Sequence, residues 1–506
     1  MSVDPRQPVL VGIGSCMQRE DDLTLSQEPM DLMLQAVQLA ARDAVGVNGA
    51  QLLKGLNQIA VPKGRWRYRN PAGEIARTIG ADAASTVLAS VGVLQQFLIG
   101  DACRQIAAGE IESALVVGAD AGHRIACAKK RGQRATERQQ EEDTPDVSLE
   151  PAEELLHPAE LRAGIRMPIA LYAILESAWR AKNGWTLDHH RQHLGVMYQR
   201  FSELAAGNPQ AWRRQAFSAE QISEASDRNP MQAFPYTRLH CTHWNVDQSA
   251  ALLLCSAGKA QALGIDPAGW IYASASTESN HMLSVSARSD LATSIGARLA
   301  GRAALEGAGL SSSQLDLMEL YSCFPIAVQC HAQALGLEWR QDVTRNARRD
   351  LTVTGGMPFA GGPFNNYVLQ ATCRMAELIR QDSALQDKSR HGLVSSVSGV
   401  LTKHGFGVWS SQPPANGFAF KDVSLDTAQQ TVAKVVLEDF HGLAVVAGYT
   451  VLHDKEQAPS ALVLADTANG GRALARSSDP ALIDRVQHSE FCGATIAMHG
   501  TLFSAA

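Results

Sequence analysis

The apolar positions of this chain fall into short strand-like runs separated by longer stretches of helical period. PVLVGIG at 8–14 is followed by Met30, Met33, Val37, Ala40, Ala41 and Ala44, spaced near 3.6 residues, which predicts a helix from Pro29 to Val45. STVLAS (85–90), LQQFLIGDACRQIAAG (94–109) and SALVVGADA (113–121) read as strand, helix and strand, the order of a layered α/β domain. The pattern breaks at 123–156, which begins basic, ends acidic and has no apolar period; a solvated insertion is predicted there. Helical sequence covers 158–226, including IALYAILESAWRAKNG, and LDHHRQH (187–193) reads as a solvated helix face. Strands resume at QSAALLLCS (248–256) and GWIYASAS (269–276), before a helix at 294–309 and a buried strand in LDLMELY (315–321). A helix at 322–336, the glycine-rich TVTGGMPFAGGPFNNYV, a helix at 368–382 and the strands GLVSSVSG and FGVWSSQ follow.

The order seen before residue 121 thus recurs after 269, which suggests a duplicated α/β unit. PPANGF at 413–418 reads as a linker, and the strand-rich remainder, with hairpin-like TANGGRAL, predicts a small β-rich domain. The predicted division is 1–268 with an insertion at about 123–235, then 269–413, then 414–506.

Composition narrows the classes of function. With 506 residues the chain is too long for one core, and its net charge of −6 argues against a general binder of nucleic acid or membrane surfaces. Small molecules or other protein chains are the expected partners. The nine cysteines are scattered without a CxxC pair, which favours reduced thiols over a disulfide framework or structural zinc. His240, Cys241 and His243 in LHCTHWNVDQ lack a matching ligand pair, so no metal is expected. The longest apolar runs are too short to span a bilayer, and MSVDPRQPVLVGIG lacks the features of a signal peptide. A soluble, cytoplasmic protein is expected.

Candidate chemistry concentrates in ELYSCFPIAVQ (319–329), where Tyr321, Ser322 and Cys323 follow an apolar strand and precede a helix. Such turns are where α/β enzymes display reactive groups. Cys323 there is a nucleophile, a base, or a small hydrophobe filling the core.

Taken in order, VLVGIG, WRYRNPAGEIARTIGA, IAAGEIESALVVGADA, NPMQAFPYTRLH, VDQSAALLLCS, ELYSCFPIAVQ, TVTGGMPFAGGPFNNYV and LTKHGFGVWSS resemble the thiolase superfamily along essentially the whole chain. The chain is most similar to thiolase-like proteins of the acetyl-CoA acetyltransferase type with an extra C-terminal domain. The resemblance implies the duplicated thiolase fold, two five-stranded mixed sheets with helices sandwiched in α-β-α-β-α layers. It also implies acyl-transfer or carbon–carbon chemistry on a coenzyme A thioester, which is substrate and not cofactor.

Thiolases use a cysteine at a buried helix N-terminus, oxyanion-hole loops and an acid/base thiol. The nucleophile position falls at Gly92, so the usual acyl-cysteine is missing. The His-Asp-Cys-Phe loop matches Tyr321, Ser322, Cys323 and Phe324, keeping the thiol. The Gly-His-Pro loop matches Gly361, Gly362 and Pro363, with Asn365, Asn366 and Tyr367 as substrate-orienting polar groups. The Cys-x-Gly loop matches LTKHGFG, placing Lys403 and His404 there. The expected catalytic set is therefore Cys323, His404 and Tyr321, acting on an acyl-CoA. Retro-aldol cleavage of a β-hydroxyacyl-CoA and non-catalytic acyl-CoA binding are the alternatives. Oligomeric state and acyl-chain length stay open.

Overall fold

The strands of the first half carry apolar residues on both faces because both faces are covered. On Pro8–Gln18, Val9 and Val11 face one core while Leu10 and Ile13 face another. Ser113–Ala121 and Asp247–Ser256 alternate the same way: Ala114, Val116, Leu252 and Leu254 pack inward, while Leu115, Val117, Leu253 and Cys255 face the outer layer. A period of two with apolar residues on both sides is the signature of a sheet buried between helices. The outer layer is Pro29–Asp43, whose Met30, Met33, Val37, Ala40 and Ala41 are buried, as their spacing predicts.

The computed structural model describes residues 3–44, 48–140, 143–165, 167–337, 350–386, 389–453 and 458–506. Five strands of the first half run in the order Ser85–Ala89, Gln58–Pro62, Ser113–Ala121, Asp247–Ser256, Pro8–Gln18. The second half contributes Ile271–Ser279, Lys403–Ser410, His391–Ser398 and Leu317–Glu319, with Ala419–Asp422 added parallel to Ile271–Ser279. The halves meet where Val9 and Leu10 pair with Tyr272 and Ile271, so the two mixed sheets join edge to edge. Helices Gln95–Ala108 and Tyr367–Gln386 touch strands of both halves and lie sandwiched between them. Helix Ile295–Ala308 covers the far side of the second sheet. This is the α/β layering expected from the sequence.

The C-terminal region is a small barrel. His441–Leu452 pairs with Ser460–Thr467, which pairs with Arg472–Ser477; Leu502–Ala505 and Thr495–His499 return the ring to His441–Leu452. Tyr449, Val463, Ala475, Phe491, Ile496 and Met498 fill its interior. The hairpin Met231–Ala233 and Tyr236–Thr237, far earlier in sequence, joins the same sheet.

Two local expectations are corrected. The polar run at 123–156 is not a simple solvated loop. It starts as helix Gly122–Lys130, and Val147–Leu149 then pairs with the edge strand Ser85–Ala89. Between them Arg138 pairs with Glu28, Asp31 and Glu74, so charge complementarity replaces the missing apolar period. LDHHRQH is not wholly solvated either: His190 is buried with its Nε2 2.7 Å from Glu176 Oε1. Glu176 also accepts from Tyr236 at 2.5 Å and Gln329 at 2.7 Å, the partners a buried carboxylate requires. Among the described residues, no helix is long and apolar enough to cross a membrane.

Candidate functional site

The turn after Leu317–Glu319 is held by its backbone. Tyr321 N donates to Ser395 Oγ at 2.8 Å, and the Cys323 carbonyl accepts from Thr242 N (3.2 Å) and Oγ1 (3.0 Å). Ser322 Oγ accepts from Met357 N at 3.0 Å, and Gly362 N donates to the His243 carbonyl. Three loops from distant parts of the chain are thereby knitted into one wall. Gly362 is required in it, because a Cβ there would sit 2.2 Å from Thr242 Cγ2.

Behind this wall lies a cavity of about 1060 Å³. It brings together Gly92, Tyr321, Cys323, Gly362 and Asn365 of the residues singled out from sequence. Gly92 lies just before helix Gln95–Ala108, in left-handed backbone at φ 109°, and Lys403 Nζ donates to its carbonyl at 3.3 Å. Lys403 thus meets the loop backbone. Cys103, about two turns down that helix, is buried in the core.

Three expected members are not in the cavity wall. His404 is fully buried behind it: its Nδ1 lies 3.0 Å from His331 Nε2 and its Nε2 2.7 Å from Ser294 Oγ. His331 Nδ1 in turn meets Ser395 Oγ at 2.8 Å. Each contact in this chain needs one donor and one acceptor, which two neutral imidazoles and the two serine hydroxyls supply. Burial, with His331 and Arg288 close by, pushes His404 well below the ordinary histidine range, and burial takes His331 down to about 3. Tyr367 is also buried, donating to Glu319 Oε1 at 2.6 Å beside Thr354 Oγ1 at 2.7 Å. Asn366 packs under Gly118, its amide unpartnered.

The site also holds groups that the sequence did not mark. Tyr172, on helix Ile169–Lys182, lines the cavity together with Cys323, its hydroxyl near enough to act on the thiol. Nothing in IALYAILESAWRAKNG separates this tyrosine from the buried apolar residues around it. Gln95, first residue of the helix after Gly92, accepts from Val368 N through Oε1 at 2.8 Å and lines the cavity with Tyr321. Its position at a helix start next to Gly92 was the available signal. Asn365 offers a buried Nδ2 with no partner at the cavity edge. Burial pushes the Cys323 thiol up to about 12, the nearby Tyr172 hydroxyl offsetting part of the rise, and burial raises both Tyr172 and Tyr321. All three groups are therefore neutral donors at physiological pH.

The far wall comes from the barrel and its hairpin: Met231, Gln232, Leu452, His453, Ser460 and Arg476. His240 and Cys241 are spent locally, His240 Nδ1 on Thr237 (3.0 Å to Oγ1) and Cys241 Sγ on the Thr237 carbonyl (3.3 Å).

Residues 277–411 match the family described as Thiolase C-terminal domain-like. An acetyl-CoA acetyltransferase of Methanothermobacter thermautotrophicus is 29% identical over 168 residues, 33% of this chain and 40% of that protein, so the match spans two-fifths of the relative's length. A monomeric SCP2-thiolase like protein type 1 from Mycobacterium smegmatis superposes over 100% of both chains, with TM-score 0.81 and 24% identity. The Ltp2-ChsH2(DUF35) aldolase (TM-score 0.60, 18% identity) and the dimeric peroxisomal thiolase of Saccharomyces cerevisiae (0.53, 14%) each align with 81% of this chain, covering 99% and 98% of their own.

Proposed function

We propose that this chain, a protein of the thiolase superfamily, cleaves or forms a carbon–carbon bond beside the carbonyl of a coenzyme A thioester without an acyl-enzyme. One observation carries the reading. The cavity presents a thiol and two phenols, Cys323, Tyr172 and Tyr321, while the position of the usual nucleophile is glycine. Thiolysis needs a cysteine to hold the acyl group between its two half-reactions. Retro-aldol cleavage needs no such carrier. A β-hydroxyacyl thioester loses the Cα–Cβ bond, the β-hydroxyl proton leaves as the aldehyde or ketone forms, and Cα takes up a proton to give the shorter thioester.

The neighbouring Tyr172 hydroxyl and Cys323 thiol suit that exchange. One member accepts the β-hydroxyl proton as the other delivers one toward Cα, so neither thiolate nor phenolate has to build up in a site that disfavours both. Tyr321 and the free Asn365 Nδ2 are donors for the enolate oxygen. Donors aimed at such an oxyanion are each worth a factor of about 10²–10³ in rate.

The test supplies the full chain with a β-hydroxyacyl-CoA and measures the carbonyl product and the shortened acyl-CoA. Release of both, lost in Tyr172→Phe and Cys323→Ala, supports the lyase. Thiolysis of acetoacetyl-CoA with free CoA would favour a transferase instead. Tight CoA binding with no turnover of either substrate would leave a binding protein.

A further inference from the structure

A second cluster of reactive side chains lies outside this cavity, on the opening turns of helix Gly122–Lys130. His123 and Cys127, four residues apart, share one face of the helix. Asp21, from the chain just after Pro8–Gln18, faces them. His123 Nε2 lies 2.8 Å from Asp21 Oδ1, and Cys127 Sγ lies 3.6 Å from each of those atoms. Among the described residues this is where three metal-type ligand atoms converge.

We propose that Asp21, His123 and Cys127 form a three-ligand site for a thiophilic divalent cation of the zinc class, with a fourth position open. The spacing carries the argument. Bonds of about 2.3 Å to sulfur and about 2.0–2.2 Å to nitrogen and oxygen, at tetrahedral angles, separate ligand atoms by about 3.3–3.6 Å. Both edges that include the sulfur already have that length, and the third opens by about half an ångström. The ligand that must move is the one free to do so: the Asp21 side chain is 83% exposed.

The other two are fixed from behind. The backbone N–H groups of His123 and Arg124 both donate to Asp247 Oδ1, at 2.8 and 3.0 Å, which pins the helix start. The imidazole packs against the Trp212 indole, centroids 5.3 Å apart. Charge also balances: a carboxylate and a thiolate neutralise a divalent cation, and the Cys127 proton is released to solvent on binding. No motif spacing announces this site, because Asp21 is about a hundred residues from the helical pair.

The test titrates cobalt(II) into the full-length protein. One equivalent is expected to produce a thiolate-to-cobalt charge-transfer band with the visible bands of a four-coordinate ion, displaced by zinc. Cys127→Ser, on a surface helix and outside the acyl-CoA cavity, is expected to abolish the band while leaving the circular dichroism spectrum and CoA binding unchanged. Asp21→Ala and His123→Ala are expected to weaken cobalt binding about tenfold or more. No charge-transfer band in the wild-type protein, or one that survives Cys127→Ser, overturns the proposal.

Discussion

At the scale of single residues, the site turns on which groups can change protonation state and which are locked. Tyr172→Phe removes the hydroxyl beside Cys323 but keeps the ring that packs on Phe324, centroids 4.5 Å apart. The fold should therefore hold while kcat falls about 10²–10³-fold and KM changes little, the pattern of a lost proton-transfer partner. Steady-state kinetics with matched thermal melts separate this from unfolding. The histidines behind the wall predict something different, a dependence of stability on pH. Their folded values are depressed below the unfolded value, so their contribution is complete above about pH 6.5 and declines as acid protonates the unfolded chain first. Each imidazole kept neutral in the fold adds about 1.4 kcal/mol per pH unit to the slope between that point and its folded value. Denaturant unfolding from pH 7 to 4.5 should give a clearly shallower slope for the His331→Gln/His404→Gln double variant. An unchanged slope would mean that His193, His240 and His243, also depressed by burial, carry the effect.

At the scale of elements, the loop before Gln95–Ala108 gives Gly92, the position that the family resemblance assigns to the nucleophile, a backbone that disfavours any side chain. Gly92 has φ 109°, and a Cβ there would meet Pro151 Cγ at 2.9 Å. Gly92→Cys should therefore lower stability by about 1–2 kcal/mol from backbone strain alone. It should also fail to accumulate a covalent acyl-enzyme detectable by intact-protein mass spectrometry after acetyl-CoA treatment. Acetylation of the introduced thiol would show that only the residue type had been lost. The same element marks how far sequence reading carries. Helix Gln95–Ala108, the buried strands and the repeat were legible because burial on both faces writes an unbroken apolar run. The loop carrying Tyr321 and Cys323 was legible because motif residues sit next to one another in the chain. Tyr172 was not: it comes from a helix about 150 residues away whose apolar face hides it. His404 shows the reverse, since a histidine that the motif comparison put in the site is buried against Ser294 and His331, contacts that no local pattern reveals.

At the scale of the molecule, the barrel acts on the cavity in two ways. It braces the helix that carries Tyr172: two turns further on, the buried Arg180 donates to Glu490 and to the Tyr449 hydroxyl, each at 2.9 Å. It also supplies a wall on which Arg476 stands, Nη2 donating to Ser460 Oγ at 2.9 Å, with no carboxylate in ion-pair range among the described residues. The coenzyme A thioester proposed above would bring several negative charges, and the Arg476 guanidinium lining the cavity is suited to one of them. Such a contact is made equally in the bound substrate and in the transition state, so it acts on KM and not on kcat. Arg476→Ala is expected to raise KM about tenfold at low salt with kcat within about twofold, a loss of about 1.4 kcal/mol of binding. Raising the ionic strength should shrink the difference between wild type and variant, because the interaction removed is screened. A fall in kcat at constant KM would instead place Arg476 with the bracing contacts. The barrel would then act on the chemistry through the position of Tyr172, and Arg180→Met should reproduce the same kinetic pattern.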